Sequence, residues 1–121
     1  MITGIHGLLY SSEPEALRAV LRDAFGWQHV DAGGGWLIFA LPPAEIAVHP
    51  SEGPDRDGGC RQELMLMCDD VAATLADLKA KGIQVEGEAE ELRWGTLAWL
   101  LLPGGVRMGL YQPKHASPLP A

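Results

Sequence analysis

The chain has 121 residues and a mass of 13.0 kDa, with 47% hydrophobic and 21% charged residues, which suits one globular domain with a real core. A net charge of −7 and a pI near 4.9 exclude the basic face that a nucleic-acid binder needs, and they disfavour an anionic membrane surface. The longest apolar run, residues 97–102, is far too short to span a bilayer, and the first residues lack the basic-then-apolar order of a signal peptide. Cys60 and Cys68 have neither zinc-knuckle nor CxxC spacing, and Cys68 falls in an apolar run, so a buried reduced thiol and a cytoplasmic location are expected.

In chain order, residues 3–10 read as a strand. Ser12 and Glu15 have the spacing of a capping box, and Pro14 suits a first helical turn. Leu17, Val20, Leu21, Ala24 and Phe25 form one apolar stripe at helical spacing, which Gly26 is placed to end. Residues 27–30 read as a short strand, Gly33 to Gly35 as a turn, 36–41 as a strand, Pro42 and Pro43 as a hairpin turn, and 45–49 as another strand. The glycine turn is no phosphate cradle, because no helix follows it. Residues 51–60 shift to Ser, Glu, Gly, Pro, Asp and Arg and read as a solvated linker.

The second half repeats the order. Residues 62–68 read as a strand, Asp70 as the N-cap of a helix with Val71, Leu75 and Leu78 inward, and Gly82 as its stop. Residues 83–85 read as a short strand and the acidic run 86–91 as a solvated turn. Residues 97–102 and 106–111 make a hairpin around Pro103, Gly104 and Gly105, and 114–121 a loose tail. The chain is thus expected to be one domain, with module one at about 1–50 and module two at about 61–113. The fold class is α+β: two βαβββ modules pairing into a curved mixed sheet around a cleft, with helices on the outer face.

His6 and Glu63 hold equivalent places in the two halves, so both are expected to face one cavity. Alternation along strands puts Leu8 and Tyr10 on the face of His6, Met65 and Met67 on that of Glu63, and Tyr111 on that of Gly109. An imidazole, a carboxylate, two thioethers and two phenols would give an apolar pocket with a few converging polar groups. The same methionines would equally serve ordinary packing. Trp36 and Trp99 are expected in the core, Trp94 at a rim or subunit contact, and His29 and His115 in solvent.

The double pattern, the stretch from Glu63 to Ile83 and the closing residues 102–113 resemble the vicinal oxygen chelate superfamily, which includes glyoxalase I, bleomycin-resistance proteins, fosfomycin-resistance enzymes and extradiol dioxygenases. The resemblance covers residues 2–113. It implies metal-ligand positions at His6, Ile46, Glu63 and Gly109, of which only His6 and Glu63 can donate. Members usually have Glu where this chain has Gly109. His49 is the nearest candidate for a third ligand, but alternation turns it away unless the strand bulges beside Pro50. The implied cofactor is at most one divalent ion, Zn, Ni, Mn or Fe, and the implied assembly is a homodimer.

Three functions compete. The first is a small-molecule-binding protein with a degenerate metal site, taking an apolar or aromatic ligand against Leu8, Tyr10, Ile46, Met65, Met67, Gly109 and Tyr111. The second is a metal-dependent glyoxalase-like lyase or isomerase, thiol transferase or dioxygenase, in which His6 and Glu63 hold the ion and Glu63 serves in catalysis. The third is a dimeric interaction domain with no ligand.

Overall fold

The structure is a computed structural model that describes residues 6–47, 63–116 and 118–119. Its helices are α1 (Pro14–Ala19), extended by a π-helical turn (Val20–Ala24), and α2 (Val71–Ala80). The strands are β1 (His29–Asp31), β2 (Leu37–Phe39), β3 (Met65–Met67), β4 (Gln84–Glu91), β5 (Gly95–Leu102) and β6 (Val106–Pro113).

The second half forms β-α-β-β-β. Its four strands make one sheet in the order β3-β6-β5-β4, with β3 parallel to β6 and the other neighbours antiparallel. The parallel pair requires a crossover, which α2 supplies. Asp70 caps α2 as expected, its Oδ1 accepting from the Ala73 N–H at 3.0 Å. The Gln112 Oε1 accepts from the Val71 N–H at 3.1 Å, so β6 satisfies a second orphan donor of the same helix.

Alternation then divides the sheet. Ala98, Leu100, Leu102, Met108 and Leu110 point to the helix side, where they meet Val71, Leu75, Leu78 and Ile83 in one core. Leu17 of α1 joins that core, so both helices cover the same face. Leu100 is fully buried, and burying such a side chain contributes about 2 kcal/mol. Cys68 is half-buried at the edge of this core, and burial pushes its thiol pKa up.

The first half differs from its expected form. Residues 6–10 and 41–47 carry no strand, and β1 and β2 make a separate two-stranded sheet. The strands expected over 3–10 and 45–49, and a complete first βαβββ unit, are therefore absent from the described residues. The reason is exposure: Leu8 is 67% exposed, Tyr10 85% and Ile46 87%, so no sheet face is buried to fix a register. The acidic residues expected in a turn instead belong to β4, which pairs with β5 through a bulge between Glu86 and Glu90, where Gly87 has a positive φ.

The halves are joined at the start of α1. The Ser11 hydroxyl donates to the Pro103 carbonyl at 2.8 Å, and the Gly104 N–H donates to Glu13 Oε2 at 3.0 Å. Ser12 and Glu15 form no capping box; Glu13 is the N-cap and makes no side-chain cap bond. The polar side chains that precede the helix are turned toward the β5–β6 turn instead. Pro14 does occupy the first turn.

Candidate functional site

The sheet face turned away from α2 carries Met65, Met67, Leu97, Trp99, Arg107, Gly109 and Tyr111, by the registers Met65↔Gly109, Met67↔Tyr111, Leu97↔Tyr111 and Trp99↔Gly109. The sequence expectation that Met65, Met67, Gly109 and Tyr111 share a face is thus realised. At its centre, a Cβ placed on Gly109 would lie 3.0 Å from Met65 Cγ, 3.3 Å from Met65 Cε and 3.4 Å from Leu97 Cδ1. The Met65 thioether arm therefore fills the space a side chain at this position would use.

Towards one end of this face, Arg107 lies over the Trp99 ring, 3.7 Å from its centroid, and is held by both carboxylate oxygens of Glu86 at 3.1 and 3.2 Å. Towards the other end, the Tyr111 hydroxyl donates to Glu45 Oε1 at 3.0 Å. This bond brings the segment 41–47 of the first half onto the second-half sheet. The Trp94 ring meets Tyr111 edge-on at 5.5 Å between centroids and 72° between planes, and the His115 ring lies 6.0 Å from Tyr111. His115 Nε2 is 3.8 Å from Glu45 Oε1. Burial first, then the bond to Glu45 and its charge, push the Tyr111 phenol above the usual tyrosine range.

The remaining expected site residues lie in more open surroundings. His6, Leu8, Tyr10, Ile46 and Glu63 are all exposed, and His49 falls outside the described residues. Ile46 and Gly109 carry no donor atom. Among the described residues no group of three or more His, Cys, Asp or Glu side chains is gathered to hold an ion. A divalent cation needs about three protein ligands, and the described donors do not by themselves supply three at one place.

Two other expectations are corrected. Trp36 is not in the core; it is 64% exposed, with Arg18 over its ring at 4.8 Å. Trp99 is only half-buried, since its outer face is taken by Arg107. Trp94 is exposed at a rim, as expected. Sequence reasoning missed Glu45 and Arg107 altogether. Arg107 could have been found by parity, since it sits two residues before Gly109; nothing in the sequence marks Glu45. A surface hollow of about 580 Å3 lies elsewhere, on the helix side between α2 and the strand ends, lined by Asp70, Val71, Leu75, Lys79, Glu91 and Gln112. It is lined largely by residues that cap or stabilise α2 and brings no reactive pair together.

No family model matches the chain, and no curated protein matches it. Solved structures do. The chain is similar to TnmS3, an antibiotic binding protein from Streptomyces sp. CB03234, with 27% identity over 94% of this chain and 99% of that one and a TM-score of 0.62. It shares its fold with the lactoylglutathione lyase from Agrobacterium tumefaciens, at 19% identity, 91% and 92% coverage and a TM-score of 0.61. It shares it also with the fosfomycin resistance protein FosX from Listeria monocytogenes, at 17% identity, 94% coverage of both chains and a TM-score of 0.62. A helix-linked parallel pair closing a four-stranded sheet, matched along nearly the full length of these glyoxalase and antibiotic-resistance proteins, gives this chain the fold of the vicinal oxygen chelate superfamily.

Proposed function

We propose that the protein binds a small apolar or aromatic molecule on the sheet face opposite α2, without a metal ion. One observation carries the reading. At Gly109, where metal-using members of the family usually have Glu, the chain has no side chain, and Met65 lies within 3.0 Å of where its Cβ would be. A thioether is a soft, polarisable surface suited to an aromatic ligand and a poor ligand for a hard divalent ion. Ile46 likewise replaces a donor with an apolar group. The antibiotic-binding function of TnmS3 supports the same direction. His6 and Glu63, together with Leu8, Tyr10 and Ile46, would border the ligand if the first half, or the first half of a second copy, closes over the sheet.

The test is calorimetric titration of planar two- and three-ring aromatic compounds into protein purified with and without chelator, paired with elemental analysis. Chelator-independent binding is the expected result. One equivalent of tightly held metal, or binding that disappears with EDTA, would refute the proposal and favour the metal-dependent enzyme.

A further inference from the structure

We infer that Arg107 recognises a neutral oxygen acceptor of the ring-carbonyl kind on the aromatic ligand; this rests on the ligand-binding reading above and specifies the chemical group that the open face selects. Arg107 does not make an ordinary pair between adjacent strands. It stands on β6 and Glu86 on β4, and β5 runs between them. Neighbouring strands are about 5 Å apart, so the arm crosses about 10 Å of the open face. It passes over Trp99, the register partner of Glu86, and its guanidinium lies 3.7 Å from the centroid of that ring.

The guanidinium is held on three sides. The indole lies beneath it, Glu86 Oε2 accepts from Nε at 3.2 Å, and Glu86 Oε1 accepts from Nη2 at 3.1 Å. Exposed ion pairs are usually loose, and a bidentate pair seated on a ring is the exception. The arginine–indole pair of the first half, Arg18 over Trp36 at 4.8 Å, has no such carboxylate among the described residues. Glu86 is itself held, because it is the last residue of β4 in register with β5 before the bulge, where Gly87 has φ +66°.

A guanidinium carries five N–H groups, and Glu86 takes one from Nε and one from Nη2. The two on Nη1 have no acceptor among the described residues, and with 47% of the side chain exposed they are within reach of a ligand. The plane is already set, so little freedom is lost when a ligand oxygen accepts from Nη1. The place also fits. Trp99 is the cross-strand neighbour of Gly109, so the guanidinium above it borders the Met65 surface where the ligand rings would lie.

The surroundings decide the charge of the acceptor. Glu86 offsets the guanidinium through both oxygens, Glu90 stands opposite Leu97 on the same face, and the whole chain carries −7. A ligand carboxylate would meet that negative field, whereas a carbonyl gains the donors without the repulsion.

Equilibrium dialysis at pH 7 tests this with three tricycles that differ at one ring position: xanthene, with a methylene; xanthone, with a carbonyl; and xanthene-9-carboxylate, an anion. Xanthone is expected to bind about tenfold tighter than xanthene, and the carboxylate no tighter than xanthone. Arg107→Met keeps an unbranched arm over Trp99 and removes the donors. It should reduce the xanthone advantage to about twofold or less, with circular dichroism checking the fold. Glu86→Gln leaves the guanidinium uncompensated, so the carboxylate should gain about fivefold or more on xanthone, a change of preference that a merely structural ion pair would not produce. If Arg107→Met does not fold, that comparison decides, and no gain for the carboxylate overturns the proposal. Equal binding of xanthone and xanthene, tightest binding of the carboxylate to the unaltered protein, or a xanthone advantage that survives Arg107→Met overturns the carbonyl site and leaves the broader reading standing. Failure of all three to bind overturns both.

Discussion

Gly109 and Met65 define the chemistry of the open face at the level of single residues. The glycine does not have a left-handed φ, so what constrains it is space alone. Gly109→Ala should destabilise the chain by about 1 kcal/mol, the low end for overpacking, because Met65 can give way. In a Met65→Ala background the same substitution should cost nothing, so denaturant melts of the two single variants and the double form a cycle with a coupling of about 1 kcal/mol. An additive cycle would mean that the two do not share the space. The sequence showed both residues on one face by counting alone, since strand alternation needs no tertiary information. It did not show that one side chain lies across the other's backbone, because that depends on a rotamer. Trp36 and Trp99 were misjudged for a related reason: an aromatic ring in a strand can be covered by a guanidinium from another element, and Arg18 and Arg107 lie over them here.

Among the elements, α2 and the β5–β6 hairpin follow the sequence closely. The Asp70 cap, the Val71, Leu75 and Leu78 stripe and the Pro-Gly-Gly turn each combine a local signal with burial of one face. The start of α1 does not follow it. The capping box read at Ser12 and Glu15 is not formed; the neighbouring Ser11 and Glu13 bond to the β5–β6 turn instead, and a single sequence does not reveal which partner a short polar side chain will take. The contact is close enough to test. Gly104 has φ +80°, and a Cβ there would meet Ser11 Oγ, with Glu13 N at 2.7 Å and Ser12 N at 2.8 Å. Gly105 has φ +78° and open space around it. Gly105→Ala should therefore cost about 1 kcal/mol for the left-handed backbone, and Gly104→Ala about 3 kcal/mol or more, since backbone atoms must also move. Equal costs in urea unfolding would show that the contact between α1 and the hairpin is dispensable.

For the molecule as a whole, the two halves are unequally satisfied. The core is built on the second-half sheet, whereas Leu8, Tyr10, Val30, Trp36, Leu41 and Ile46 of the first half remain 50% or more exposed. Large apolar side chains left exposed in this number suit contact with another chain. We expect a homodimer, and sedimentation equilibrium should give twice the 13.0 kDa chain mass. Replacing Ile46 and Tyr10 together by Ser should shift the population towards single chains; a monomer in the unaltered protein would count against it. The α+β class was legible in the sequence, because helix and strand periods differ and both are present. The first half's missing strands were not, because strand formation there requires a neighbour that the local sequence does not supply.

The acidity of β4 has a consequence for how such molecules meet. The strand forms one border of the sheet, carries Glu86, Glu88, Glu90 and Glu91, and is kinked at Gly87. Like charges and a kink both hinder a second strand from zipping onto that border. The opposite border, β3, is only three residues long and carries methionine and leucine instead of charge. Any lengthening of the sheet is therefore steered to the methionine side, and the glutamate side is left as a barrier against runaway stacking.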